Sequence, residues 1–199
     1  VQKDKNDKNE KMPFLPTIGF IVFAIVFNAL YCIIFYCVSI YLAESNIGGS
    51  DIAGIISSLG TIGCAAAGLV FSFVFRGLKR KTPIILFLIL AAGYFILTLP
   101  IGIVLIGAIN LLMGFAYGIN LSYVYMTATM IAPPSKMAFS SALGNASIGL
   151  GCFISTYLLT FYQHIFHADT MQPVFLYVAI TAAAATAITI IAIMVTKNK

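Results

Sequence analysis

Long apolar runs separated by short polar breaks set the pattern of this chain. A membrane-crossing helix needs roughly 20 apolar residues for a hydrocarbon core about 30 Å thick. Spans are predicted at about residues 17–42, 52–75, 84–97, 103–131, 138–161 and 174–195. Single spans of that length satisfy their backbone groups in lipid only as helices. The predicted fold class is therefore all-α, a polytopic membrane protein of six transmembrane helices. The break AESNIGGSD carries Glu44 and Asp51 but no basic residue, and reads as an outside loop. Pro100 and Gly102 mark a turn inside the double-length region 83–131. PPSK at 133–136 is a second short turn, and YQHIFHADTMQP at 162–173 a second outside loop.

Charge adds an orientation. All eleven Lys and Arg fall in four clusters: Lys3, Lys5, Lys8 and Lys11; Arg76, Lys79, Arg80 and Lys81; Lys136; and Lys197 with Lys199. Two predicted spans separate each cluster from the next. Cytoplasmic loops accumulate Lys and Arg, so every basic segment and both termini are expected on the cytoplasmic side of a multi-pass cell-membrane protein. Composition agrees, with 61% apolar residues, 9% charged residues and a mean hydropathy of +1.03. The net charge of +5 does not indicate nucleic acid, because the basic residues flank apolar runs and are not interleaved with exposed aromatics. They orient the chain and meet anionic lipid.

Seven of the first twelve residues are charged, too many for the segment to bury an apolar face. It has no secretory-signal arrangement. Residues 1–13 are read as a charged cytoplasmic linker, 14–196 as a six-helix transmembrane domain and 197–199 as a cytoplasmic tail. On this reading the chain is part of a longer one.

The polar residues inside the spans sort by helical face. At about 100° per residue, Asn110, Gly114, Tyr117 and Asn120 share an arc of about 120° on the fourth span. Two readings stand for this stripe: the wall of a cavity that binds a solute, or interhelical packing, to which the G-x-x-x-G from Gly114 to Gly118 is suited. On the first span Asn28, Tyr31 and Phe35 share a face with Tyr36 at its edge, which fits either a cavity bordered by aromatics or, for each aromatic by itself, core packing. Small residues form rows on the second span, where Gly60, Cys64 and Gly68 recur beside Ser57, Thr61 and Ala65. The fifth has Ser141, Asn145 and Gly149 beside Gly144 and Gly151. Such rows let backbones approach and slide. The third and sixth spans carry little beyond Tyr94, Tyr177 and scattered Thr, which suits a lipid-facing periphery.

Catalytic patterns are lacking. There is no G-x-S-G of an intramembrane protease and no Gly-rich phosphate loop, so no enzymatic activity, catalytic residue or cofactor is expected. His164, His167 and Asp169 make a weak H-x-x-H-x-D in an outside loop, read as solvated and not as a metal site. Cys32, Cys37, Cys64 and Cys152 lie in apolar spans without a C-x-x-C, and read as small buried residues.

Taken together, the charged leader, FSFVFRGLKRKTP between the second and third spans, and GFAYGINLSYVYMTATMIAPPSKMAFSSALGNASIGLGCFIS across the fourth and fifth resemble the C-terminal half of a major facilitator superfamily (MFS) transporter. The resemblance covers essentially the whole chain. In the loop after the second span Gly77, Lys79, Arg80 and Lys81 fit the family's cytoplasmic gating signature, though its Asp is missing. The resemblance implies two three-helix repeats, a partner N-terminal six-helix half, and a small-molecule solute bound between halves by alternating access. The first and fourth spans would line the cavity, with Asn28, Tyr31, Asn110, Tyr117 and Asn120 as candidates. Gly60, Gly68, Gly77, Lys79, Arg80, Gly114, Gly118, Asn145 and Gly149 would pack or gate. No span interior holds Asp, Glu, His, Lys or Arg, so a coupling carboxylate would lie in the other half. Permease and drug-efflux activities both fit this reading. The alternative is a six-span scaffold or sensor that dimerises with a second copy and does not transport.

Overall fold

Inside lipid a backbone N–H or C=O finds no water, so an apolar run closes its own hydrogen-bond ladder. The computed structural model describes residues 12–166 and 170–197 and holds six α-helices. They are α1 (Phe14–Glu44), α2 (Ser50–Leu78), α3 (Thr82–Leu97), α4 (Ile103–Ile131), α5 (Met137–Ile165) and α6 (Met171–Lys197). No strand occurs among the described residues. Most of the charged leader (residues 1–11), the end of the tail (198–199), His167 and Asp169 lie outside them.

Five helical stretches are long and apolar enough to cross a membrane. The count is five because α2 and α3 join through a 3-10 turn, Lys79–Lys81, into one helical run of 48 residues. By itself α3 has 16 residues, about 24 Å at 1.5 Å per residue. Large apolar side chains stand outward along the bundle: Leu69, Phe73, Val104 and Ile188 are all strongly exposed. A surface of that kind is solvated by lipid tails and not by water. The chain is a multi-pass membrane protein.

Cross-helix contacts fix the relative direction of the helices. Gly60 of α2 sits against Asn110 and Gly114 of α4, while Gly93 of α3 meets Ile109 and Met113 in the same turn of α4. Residues 60 and 93 therefore lie at one height, and the chain must reverse between them, at the basic turn. Lys79 takes a positive φ of 44° there, and Pro83 opens α3 within its first turn. Contacts of α1 with α5 advance together from Phe20–Gly144 to Cys32–Cys152, so these helices run parallel. The α2–α4 contacts advance likewise from Gly60–Gly114 to Cys64–Gly118. Opposite progressions make α4 antiparallel to α5, through Ala128–Ser140 and Tyr125–Asn145, and α1 antiparallel to α6, through Glu44–Met171 and Tyr41–Phe175. Successive helices alternate in direction. Arg76, Lys79, Arg80, Lys81 and Lys136 consequently share one end of the bundle, and Glu44 and Asp51 the other.

The main pairings are α1 with α5, α2 with α4 and α3 with α6. Between α2 and α4 the pairing depends on absent side chains. A Cβ on Gly114 would enter the backbone of Gly60, one on Gly63 would lie 2.9 Å from the amide nitrogen of Phe115, and one on Gly118 would lie 2.7 Å from Cβ of Ala67. Gly151 does the same for α1 and α5, where a Cβ would stand 2.6 Å from the carbonyl oxygen of Ile25 and 2.7 Å from Cβ of Asn28.

Tyrosines hold α3 to α1. The hydroxyl of Tyr94, fully buried, donates to the carbonyl of Leu30 at 2.6 Å and accepts from the N–H of Ile34 at 3.0 Å, bridging one link of the α1 ladder. Tyr41 donates to the carbonyl of Leu97 at 3.1 Å. α3 turns Leu88 and Phe95 outward, but half of its residues are buried and Tyr94 is a core anchor, a role that its sequence did not indicate. Just past the C-terminus of α1, Asn46 adopts a φ of 53°, with Ile47 N–H bonded to Leu42 C=O and Asn46 N–H to Ala43 C=O. These are the paired bonds of a Schellman stop, with Asn in the position glycine usually takes.

Two outcomes are expected in thermal or denaturant unfolding in detergent. Gly114→Ala and Gly63→Ala should each destabilise by about 1–3 kcal/mol, since backbone and not a flexible side-chain tip opposes the new methyl, whereas Gly19→Ala, with nothing within 4 Å, should not. Tyr94→Phe should cost about 1 kcal/mol, the net worth of a buried hydrogen bond. Equal stability of Gly114→Ala and Gly19→Ala would refute the close α2–α4 seam.

Candidate functional site

A cavity of about 280 Å³ opens near mid-length of α1, α2, α4 and α5. The α1 wall consists of Tyr31, Cys32, Phe35 and Tyr36, the i, i+1, i+4, i+5 positions that a helix gathers into one arc of about 140°. From α2 come Ser57, Gly60, Thr61 and Cys64, an i, i+3, i+4, i+7 stripe. Asn110 and Tyr117 of α4 and Cys152 of α5 complete the lining. The glycine seam explains the position: Gly60 lets α4 approach so closely that the Asn110 side chain reaches the cavity beside it.

Two features dominate its chemistry. The rings of Tyr31 and Tyr117 stack with centroids 4.2 Å apart and planes 6° from parallel, joining α1 to α4 across the site. Asn110 is 8% exposed, and its amide nitrogen has no hydrogen-bond partner among the described residues. An unpaired buried donor costs free energy until an acceptor reaches it. None of the lining residues carries a charge. A charged guest would lose its hydration there without a compensating partner from this chain. The site suits a neutral, partly aromatic guest that offers a hydrogen-bond acceptor.

Of the residues the sequence singled out for a cavity, Tyr31, Asn110 and Tyr117 are brought together here, with Phe35 and Tyr36 beside them. Asn28 and Asn120 are not. Asn28 is fully buried on the α1–α5 seam and donates to the carbonyl of Ala24 at 2.7 Å. Asn120 is also fully buried, away from the cavity lining, and neither atom of its amide has a partner among the described residues. Helical arithmetic placed Asn120 within the arc of Tyr117, but only Tyr117 reaches the cavity lining.

Of the packing and gating candidates, Gly60, Gly114 and Gly118 form the α2–α4 seam. Gly68, Gly77 and Gly149 have nothing within 4 Å, and lie on open surface. Asn145 is exposed and accepts a hydrogen bond from Tyr125 at 3.1 Å. Lys79 and Arg80 occupy the basic turn, both exposed. Sequence reasoning missed Cys32, Cys64 and Cys152 as cavity residues, having read them as inert packing. The only available signal was that Cys64 belongs to the small-residue row of α2.

A second depression, of about 400 Å³, lies at the acidic end among Tyr41, Glu44, Pro100 and Gln172. Its one carboxylate is already engaged: Glu44 accepts the N–H of Met171 at 2.6 Å and caps the first turn of α6. Among the described residues no cluster of His, Cys, Asp or Glu is placed to hold a metal ion. No family model, curated protein or solved structure matches this chain.

A cysteine scan distinguishes wall from seam. With the native cysteines replaced by Ser, Tyr117→Cys should react readily with a small polar thiol reagent, while Asn28→Cys and Asn120→Cys should react at least about tenfold more slowly, as expected for buried thiols. Comparable rates at all three positions would mean that the cavity is drawn in the wrong place.

Proposed function

We propose that this chain is one six-helix half of a secondary transporter of the MFS type, moving a small organic solute by alternating access. The observation that carries the reading is the uncharged cavity at mid-length, walled by helices from both halves of the chain. The pairing pattern supports it. Exchanging α1, α2 and α3 for α4, α5 and α6 maps α1–α5 onto α2–α4 and leaves α3–α6 unchanged. Because α1 and α4 run in opposite directions, that exchange is the relation expected of two inverted three-helix repeats, which place a solute site between them.

Alternating helix directions also favour six crossings, with α2 and α3 as separate spans folded back at the basic turn. The basic end then faces the cytoplasm of a cell membrane, and both termini with it. Gly54, Ala65 and Gly68 on α2, and Asn145 and Gly149 on α5, leave open faces of small residues beside the cavity. Such faces suit an N-terminal six-helix half that closes the site from the other side. They would equally receive a second copy of this chain in a scaffold that does not transport. The solute favoured by the lining is neutral, with an aromatic portion for the tyrosines and an acceptor for Asn110; an amphipathic efflux substrate meets both conditions.

The test is flux into proteoliposomes containing the full polypeptide, across a panel of neutral aromatic and amphipathic solutes. Gradient-dependent uptake is expected, and Asn110→Leu and Tyr117→Ala should each lower kcat/KM about tenfold, a loss of about 1.4 kcal/mol of transition-state stabilisation. Absence of flux across the panel, together with a stable homodimer, would favour the scaffold.

A further inference from the structure

The α1–α5 seam delivers two thiols to the same wall of the cavity. Sγ of Cys32 and Sγ of Cys152 lie 2.7 Å apart although 120 residues separate them in the chain, and both are free thiols. A disulfide bond is about 2.05 Å long, so less than about 1 Å of motion separates this pair from bonding. A close backbone approach in the seam underlies this proximity. Gly151, the residue before Cys152, has no side chain and sits on Ile25, Asn28 and Ala29, one turn below Cys32 on the same stripe of α1. Cys32 is buried and Cys152 half-buried, and both line the cavity, through which a small oxidant can arrive.

We propose that Cys32 and Cys152 are a redox modification site, oxidised by a hydroperoxide to a disulfide that locks α1 to α5 at the cavity wall. Cys152, the more exposed sulfur, attacks the peroxide O–O bond; it becomes a sulfenic acid, and the distal oxygen leaves as water after taking the thiol proton. Sγ of Cys32 then attacks Sγ of Cys152, the S–O bond breaks, and the departing hydroxide leaves as a second water with the Cys32 proton. Two thiols and one hydrogen peroxide become one disulfide and two waters, and the two electrons lost by sulfur are taken up by peroxide oxygen. A dithiol reductant reverses the step by exchange. The disulfide joins α1, in the first half of the chain, to α5, in the second, and restrains any change in cavity width that requires these helices to part. The modification itself stands independently of whether the protein transports.

Differential alkylation tests it in the full polypeptide, reconstituted in liposomes, exposed to hydrogen peroxide, quenched and then unfolded to label the remaining free thiols. Labelling of Cys32 and Cys152 should fall together by at least about tenfold and return after dithiothreitol. Cys37, buried on α1 away from the cavity, should stay labelled. The peptides carrying Cys32 and Cys152 should be recovered as one linked species short of two hydrogens. The same oxidant applied to protein already unfolded in SDS should give no preference for this pair, which separates the folded geometry from intrinsic reactivity without any variant. In Cys32→Ser protein, no linked species should form through Cys152. Continued labelling of both cysteines after native oxidation, or linkage of Cys152 to Cys64 instead, would overturn the assignment.

Discussion

The contact on which the bundle depends is the glycine seam between α2 and α4. Lipid tails are as apolar as leucine, so helices in a membrane gain nothing from hiding apolar surface against each other. What holds them is dispersion at short range and the hydrogen bonds that short range permits. Gly60, Gly63, Gly114 and Gly118 remove side chains from both sides, and the two backbones meet. Everything at the cavity inherits this spacing. Asn110 reaches the cavity because Gly60 leaves room beside it, and Tyr117 can stack on Tyr31 because α4 is held at that depth.

Around this seam α1 acts as the central post. It packs on α5 through Gly151, receives the hydroxyl of Tyr94 and caps α6 through Glu44. The Tyr94 contact joins polar groups that would be costly to leave unpaired away from water. The Tyr94 bridge is informative because it lies across the link from Leu30 to Ile34, beside Tyr31 and Cys32 of the cavity wall. A side chain bonded into a helix ladder is a recognised site of bending. Tyr94 thereby ties α3 to the length of α1 next to the cavity.

The cavity combines this rigidity with soft chemistry. Its polar groups are an amide, hydroxyls and thiols, with no charge among them. Under the proposed function, recognition by this chain would rest on shape, stacking and a small number of hydrogen bonds. The thiols of Cys32 and Cys152 are close for the same reason that the wall is firm, namely the backbone approach at Gly151.

Periodicity and charge alone were enough to locate the helices, because apolar runs of membrane length and Lys and Arg at their ends follow from local solvation. The same local logic brought Tyr31, Asn110 and Tyr117 forward, since a polar group on an apolar helix must face something other than lipid. Which neighbour it faces was not legible. Asn28 and Asn120 share helical faces with cavity residues yet are buried outside its lining, Asn28 on the α1–α5 seam, because the face of a helix is set by angle while the partner is set by height and direction. The anchoring of α3, the stacking of two tyrosines from α1 and α4, and the meeting of Cys32 with Cys152 join residues 60 to 120 positions apart. Such contacts exist only once parallel and antiparallel helices have been packed at fixed heights, and only the tertiary structure decides that packing.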